Sequence, residues 1–125
     1  MNSKYKGDIG LSKAIAHFME SGYEVLLPIG DKRPYDLVVE KDGILQKVQC
    51  KYTSHKTKYG IYLVPLRIKG GNRSSGNTAK IYNKEDFDIL FAYTSEGTMY
   101  NIPFKDVDCT NSYSLGTAAE EYKIK

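Results

Sequence analysis

Several features are scarce or missing in this 125-residue sequence, and each absence excludes a class of protein. There is no tryptophan, and the two cysteines, Cys50 and Cys109, are too few for a disulfide scaffold. No apolar run approaches the roughly 20 residues that a membrane helix needs, and residues 1–4 lack the apolar stretch of a signal peptide. We therefore expect no membrane association and a reducing, cytoplasmic setting, including a nucleoid or an organelle interior.

Acidic residues are absent from the middle of the chain. Between Gly43 and Lys84 there is no Asp or Glu, although this stretch holds nine of the 18 basic residues and the net charge of the whole chain is only +3. A segment of one sign is typical of a surface that meets an anionic polymer. A solvated basic face has the same pattern, so charge alone leaves both interpretations open.

The residues that are present indicate one domain over residues 1–125 with a modest core. Apolar residues recur at helical spacing between residues 7 and 20 and predict a first helix that Ser21 and Gly22 end. The residues of this stripe are Leu11, Ile15, Phe18 and Met19. The predicted helix places Asp8 in its first turn, where the helix dipole favours a carboxylate.

Strands dominate the rest of the chain. We predict strands over residues 23–27, 35–40, 44–52, 59–67, 88–93, 99–102 and 112–115, a helical turn at 104–107, and either a short helix or a frayed tail after residue 118. A basic loop rich in Gly, Ser and Asn covers residues 68–78. The order predicts an α/β (α+β) fold with a mixed sheet, an N-terminal helix and a central hairpin turning at Asp42-Gly43.

The central hairpin brings three polar residues together. Asp36 opens one strand, and Gln49 and Lys51 share one face of the other because side chains alternate along a strand. Cys50 then faces the core. Carboxylate and amide oxygens suit a divalent cation such as Mg²⁺, and an ammonium group suits phosphate. The cluster therefore predicts a metal and a nucleic-acid phosphate as partners.

These residues resemble the PD-(D/E)xK nuclease superfamily. The motifs that carry the resemblance are Gly7-Asp8-Ile9-Gly10, Pro34-Tyr35-Asp36 and Gln49-Cys50-Lys51. The pattern is most similar to the group I intron-encoded homing endonucleases that use QxK, with Holliday-junction resolvases as relatives, and it covers about residues 4–66. Gln49 stands where most members of the superfamily carry Glu or Asp, which lowers the negative charge of the site.

The resemblance implies a restriction-endonuclease-like core and a role for each matched residue. Asp8, Asp36, Gln49 and Lys51 are the implied catalytic residues, and Asp36, Asp8 and Gln49 the implied ligands of Mg²⁺ or of another divalent metal such as Mn²⁺. The implied activity is sequence-specific cleavage of double-stranded DNA. The alternatives are a structure-specific junction resolvase and a catalytically inactive DNA-binding module.

Cutting both strands of a duplex requires two active sites, so we also expect a homodimer or homotetramer. The basic residues expected to contact DNA come from the acid-free segment. They are Lys47, Lys56, Lys58, Arg67, Lys69 and Arg73.

Overall fold

One helix, nine strands and two 3₁₀ helices make up the described part of the chain, which is residues 2–68, 80–108 and 111–125 of a computed structural model. The helix is α1 (Ser3–Glu20). The strands are β1 (Glu24–Leu26), β2 (Leu37–Lys41), β3 (Ile44–Thr53), β4 (Leu63–Pro65), β5 (Arg67–Ile68), β6 (Lys80–Ile81), β7 (Ile89–Thr94), β8 (Met99–Pro103) and β9 (Ser112–Ser114). The 3₁₀ helices span Phe104–Asp106 and Thr117–Tyr122.

Five of the strands form the main sheet, in the order β1-β2-β3-β7-β8. Strands β3 and β7 run parallel, and the other neighbours are antiparallel. Two small antiparallel pairs, β4 with β9 and β5 with β6, complete the β structure of the described residues. The predicted α+β fold with a mixed sheet and an N-terminal helix is confirmed.

Helix α1 begins earlier than the sequence pattern predicts. The side-chain oxygen of Asn2 accepts a hydrogen bond from the backbone N–H of Tyr5 at 2.9 Å, so Asn2 is the N-cap and the helix begins at Ser3 rather than near Gly7. The first turn contains no acidic residue. The prediction that Asp8 lies in the first turn is therefore wrong.

The end of α1 follows the prediction. Gly22 has a φ of 89°, the left-handed conformation that glycine adopts without strain. Its N–H donates to the carbonyl of Met19, and the N–H of Tyr23 donates to that of Phe18, which together form a Schellman motif. Phe18 is fully buried, but Met19 is 61% exposed and does not belong to the buried stripe as predicted.

A tight hairpin joins β2 to β3. The turn residues Asp42 and Gly43 have φ angles of 55° and 81°, which is the type I′ geometry that Asp-Gly predicts. The register that follows pairs Leu37 with Val48. Because this register is fixed by a two-residue turn, it determines which β3 residues lie beside the start of β2.

The main sheet carries a core on each face. One face packs against α1, and we call it the helix face; its buried residues are Ala14, Phe18, Leu37, Val39, Val48, Ile89 and Phe91. The second face carries the larger cluster, Tyr62, Val64, Leu66, Phe87, Leu90, Ala92, Tyr100, Ile102, Phe104, Val107, Leu115 and Ala119. Alternation along β7 sends Ile89 and Phe91 to the helix face, and Leu90 and Ala92 to the second face.

The predicted strand over residues 59–67 is broken in the structure. Tyr59 and Gly60 lie in a turn in which Gly60 has a φ of 79° and the Thr57 hydroxyl accepts hydrogen bonds from the backbone at Tyr59 and Ile61. Regular pairing begins only at Leu63. Most of the predicted basic loop, residues 69–78, lies outside the described residues.

The C-terminal segment, for which the sequence allowed a helix or a frayed tail, is a docked 3₁₀ helix. Ala119 is fully buried, and the N–H of Ile124 donates to the carbonyl of Met99 at 2.8 Å. Within the described ranges, no helix is long and apolar enough to cross a membrane.

Candidate active site

Asp36 lies immediately before β2 and is tied to β3 by two hydrogen bonds. Its N–H donates to the carbonyl of Val48 at 2.8 Å, and its Oδ2 accepts the N–H of Cys50 at 2.8 Å. Both bonds follow from the hairpin register, since Asp36 is one residue beyond the Leu37–Val48 pair. The carboxylate is therefore held against the β3 backbone at the level of Gln49.

Gln49 and Lys51 project from the second face of the sheet, as strand alternation predicts. They are registered with Leu90 and Ala92 of β7, which both belong to the second-face core, whereas Cys50 packs against the helix-face core. Gln49 is only 9% exposed, and its side-chain amide makes no hydrogen bond to another described residue. Among the described residues no fully buried side-chain nitrogen or oxygen lacks a partner, so the amide still reaches the surface, where a ligand or water can bind it.

Tyr82, which follows β6, completes the site, and sequence reasoning missed it. The Lys51 ammonium lies 5.2 Å from the centroid of the Tyr82 ring. The Tyr82 ring in turn packs edge-on against Phe87 and Phe104, at 5.0 Å and 6.5 Å between centroids. The acid-free segment offered a weak signal, because it places aromatic residues among cations, but it did not single out Tyr82.

The charged groups of the site are partly buried, and each influences the pKa of the other. Burial raises the pKa of the Asp36 carboxyl, while the Cys50 N–H and the charge of Lys51 act in the opposite direction. Burial lowers the pKa of the Lys51 ammonium, and Asp36 opposes that shift. Burial and the nearby charges of Asp36 and Asp86 raise the pKa of Tyr82 to about 12, so its phenol stays neutral.

Cys50 is a structural thiol. Burial, with the negative charge of Asp36, raises its pKa well above the ordinary value for a thiol. A thiol that resists ionisation is a poor nucleophile. The reading of Cys50 as a core residue rather than a reactive one agrees with this environment.

Asp8 makes no hydrogen bond or ion pair with the other three described residues, although its neighbour Gly7 lines the same cleft as Lys51, so its role in the site stays a prediction. It is exposed on α1, which packs on the helix face, whereas Gln49 and Lys51 lie on the second face. It does not contribute to the pKa shifts of Asp36 or Lys51. Among the described residues, no three His, Cys, Asp or Glu side chains lie close enough together to hold a metal ion.

Two of the predicted DNA-contacting residues that the structure describes, Lys47 and Lys56, are already paired within the protein. Lys47 donates to the carbonyl of Glu85, and Lys56 is ion-paired with Glu96 from outside the acid-free segment. Lys58 lies over the ring of its neighbour Tyr59, 5.1 Å from the centroid. The side chain of Arg67 and all of Lys69 and Arg73 lie outside the described residues.

A cleft of about 340 Å³ adjoins the site between the start of α1 and the end of β3. Its ionisable lining side chains include Lys6, Lys51 and His55, with the hydroxyls of Ser3 and Ser54, and none of its described lining residues is acidic. A cleft of this chemistry favours an anion. Because Lys51 belongs both to the cleft and to the polar cluster, the two features form one continuous site.

The donor set at this site suits a hard divalent cation. Asp36 uses one carboxylate oxygen for the Cys50 N–H, and the other oxygen has no hydrogen-bond partner among the described residues. The Gln49 amide adds a neutral oxygen that has no hydrogen bond to another described residue. Mg²⁺ is commonly held by one or two carboxylates, with water and substrate phosphate completing its shell. Asp36 and Gln49 therefore fit such a cation.

Comparison with known proteins agrees with this geometry. A solved structure described as that of a bacterial homing endonuclease, I-Ssp6803I, superposes with a TM-score of 0.85 at 32% sequence identity, covering 98% of this chain and 89% of that one. No curated protein matches the sequence. The family model for the PD-(D/E)XK endonucleases matches residues 1–123. Since that match spans nearly the whole sequence, including the Asp36 strand entry and the Gln49–Lys51 face, the chain belongs to the PD-(D/E)XK endonuclease family.

Proposed function

We propose that this endonuclease is metal-dependent and cuts double-stranded DNA at a specific sequence, as a homing endonuclease acting in the cytoplasm or in a DNA-containing compartment. The observation that carries the proposal is the convergence of Asp36, Gln49 and Lys51 at one end of the hairpin. The similarity to a bacterial homing endonuclease supports the choice of substrate.

Asp36 and Gln49 are the residues that would hold Mg²⁺ or Mn²⁺. The bound cation supplies positive charge that stabilises the extra negative charge of the phosphodiester in the transition state. The hydrogen bond from the Cys50 N–H fixes the Asp36 carboxylate in one orientation. Gln49 lacks charge, so it adds no carboxylate at the position where most members of the superfamily carry Glu or Asp.

Lys51 is the group that acts on the scissile phosphate. Its ammonium stabilises the charge that develops on the phosphate oxygens. Burial lowers the pKa of Lys51, and the nearby Asp36 carboxylate opposes that shift and favours the ammonium form. The cationic cleft beside Lys51 supports a DNA backbone as the partner, because its basic and hydroxyl side chains suit phosphate.

Assembly is part of the proposal. One active site cuts one strand, so cleavage of both strands calls for a homodimer or homotetramer. Large apolar side chains are exposed near the β1 edge of the sheet and the hairpin tip, where a second copy would cover them. They are Leu26, Leu27, Ile29, Ile44 and Leu45.

A DNA-binding module without cleavage is the second candidate, and the uncharged Gln49 in place of a carboxylate favours it. Incubation with Mg²⁺ of a randomised duplex library and of a four-way junction separates the possibilities. Cutting of a defined duplex sequence, abolished by EDTA, is expected. Cutting of the junction whatever its sequence would instead identify a resolvase, and salt-sensitive binding without any cutting would identify the binding module.

A further inference from the structure

Tyr82 contacts Lys51, whose ammonium has no hydrogen-bond partner among the described residues. Its ring centroid lies 5.2 Å from the Lys51 ammonium, within the range in which an aromatic face attracts a cation. Burial disfavours the charged form of Lys51, and Asp36 opposes that effect. Besides Asp36, the Tyr82 ring is a neighbour that favours the charged form of Lys51, and the ring carries no negative charge.

The ring is held rigidly. It packs edge-on against Phe87, which stacks on Phe104 with 4.0 Å between centroids. The turn that follows Tyr82 is fixed by the bond from the Asn83 N–H to Asp86 at 2.7 Å. Lys84 ties the same turn to the carbonyl of Phe104 at 2.7 Å. A ring supported on several sides confines the Lys51 side chain that lies over it.

The phenol group is not needed for this contact. The hydroxyl of Tyr82 makes no hydrogen bond to another described residue. The contact is therefore between the ammonium and the ring face, which phenylalanine supplies nearly as well.

We infer that Tyr82 is a positioning residue, whose ring holds the Lys51 ammonium in the orientation that meets the scissile phosphate. The inference rests on the proposed function for its catalytic consequence, but the contact itself can be tested without cleavage. Misplacing a catalytic group by a small distance costs large factors in rate, so loss of the ring slows the chemical step more than it weakens DNA binding.

The test compares Tyr82→Phe and Tyr82→Leu with the wild-type protein on a cleaved duplex. We expect Tyr82→Phe to retain kcat and Tyr82→Leu to lose about tenfold or more in kcat, with KM and DNA affinity within about twofold of wild type. Tyr23→Leu is the matched control. The Lys41 ammonium lies 5.0 Å from the centroid of the Tyr23 ring, and this ring packs edge-on against Phe18, but on the helix face. Tyr23→Leu should retain kcat.

A second readout needs no activity. In protein labelled with ¹³C-lysine, the protons beside the Lys51 ammonium, assigned with Lys51→Arg, should be shifted upfield by the Tyr82 ring in the wild type and in Tyr82→Phe. That shift should disappear in Tyr82→Leu.

Three results would overturn the inference. The first is a wild-type kcat in Tyr82→Leu. The second is a loss of kcat in Tyr82→Phe equal to that in Tyr82→Leu, which would assign the effect to the hydroxyl. The third is a loss of DNA affinity in Tyr82→Leu while kcat stays unchanged. Absence of cleavage by the wild-type protein on any substrate would contradict the proposed function instead, and the lysine spectrum would still test the contact.

Discussion

The fold holds the Asp36 carboxylate in a partly buried position that disfavours its charged form. Burial raises its pKa above the ordinary value of 3.8 even though the Cys50 N–H and Lys51 act against the shift. Between 3.8 and the raised value the folded state binds the proton more tightly than the unfolded state. The free energy of unfolding therefore falls as the pH rises through this window, and the penalty persists at pH 7.

Asp36→Asn should therefore stabilise the metal-free protein at pH 7, by on the order of 1 kcal/mol, because an amide oxygen can still accept the Cys50 N–H without carrying charge. Urea unfolding in EDTA measures this, and the difference from wild type should shrink below pH 3.8. Added Mg²⁺ should raise the Tm of the wild type only. A less stable Asp36→Asn protein would contradict this account of Asp36.

The residues of the site differ in how far they could be predicted. Asp36, Gln49 and Lys51 were recoverable because a tight turn and strand alternation, both local, bring them together. Tyr82 reaches Lys51 only through packing that involves Phe87 and Phe104, and no local pattern encodes that. The sequence pattern predicts Asp8 in the first turn of α1, and this is wrong because Asn2 caps the helix and it begins at Ser3.

At the scale of elements, the stability of helix α1 depends on the turn at Gly22 that ends it. Gly22 has a φ of 89°, which costs an alanine about 1 kcal/mol or more. Gly7 lies inside the helix, and an added Cβ there would meet nothing within 4 Å. Thermal unfolding should show Gly22→Ala to be destabilising and Gly7→Ala to be stabilising by about 0.5–1 kcal/mol. Equal effects would show that the Schellman motif does not limit the helix.

The packing of α1 on the sheet should also depend on pH. The His17 ring lies 5.8 Å from that of Phe91, and burial lowers the pKa of His17 below 6.5 against the opposing charge of Glu20. The unfolded chain therefore binds the proton first as the pH falls below 6.5, and stability is lost in that range.

His17→Gln should reduce the loss of stability that occurs as the pH falls below 6.5. His55→Gln, at an exposed histidine, should leave that loss unchanged. Urea midpoints measured above and below pH 6.5 check the difference. An unchanged slope in His17→Gln would assign the pH dependence to other groups.

The elements themselves were predictable where the signal was local. The hairpin turn, β7 and the end of α1 match the sequence pattern. The expected strand over residues 59–67 failed because Thr57 and Gly60 form a turn that interrupts the alternation. Residues 69–79 lie outside the described part of the chain, so the basic loop stays a prediction.

At the scale of the whole molecule, we expect the protein to assemble. Light scattering should give a mass of two or four times 14.1 kDa. Leu27→Lys should reduce it, because Leu27 is 60% exposed next to the edge strand β1. Tyr5→Lys, at a similarly exposed residue at the start of α1, is the matched control and should not. A monomeric wild-type protein would contradict this expectation.

Single-turnover cleavage of the selected duplex in Mg²⁺ shows whether the Asp36, Gln49 and Lys51 cluster hydrolyses DNA. Lys51→Met should lower the rate by about 100-fold or more, since it removes the group that stabilises charge on the phosphate. The exposed Lys105→Met, on a 3₁₀ helix, should stay within about twofold of wild type and controls for the loss of one surface charge. Cleavage at the wild-type rate by both Lys51→Met and Asp36→Asn would show that the active site lies elsewhere.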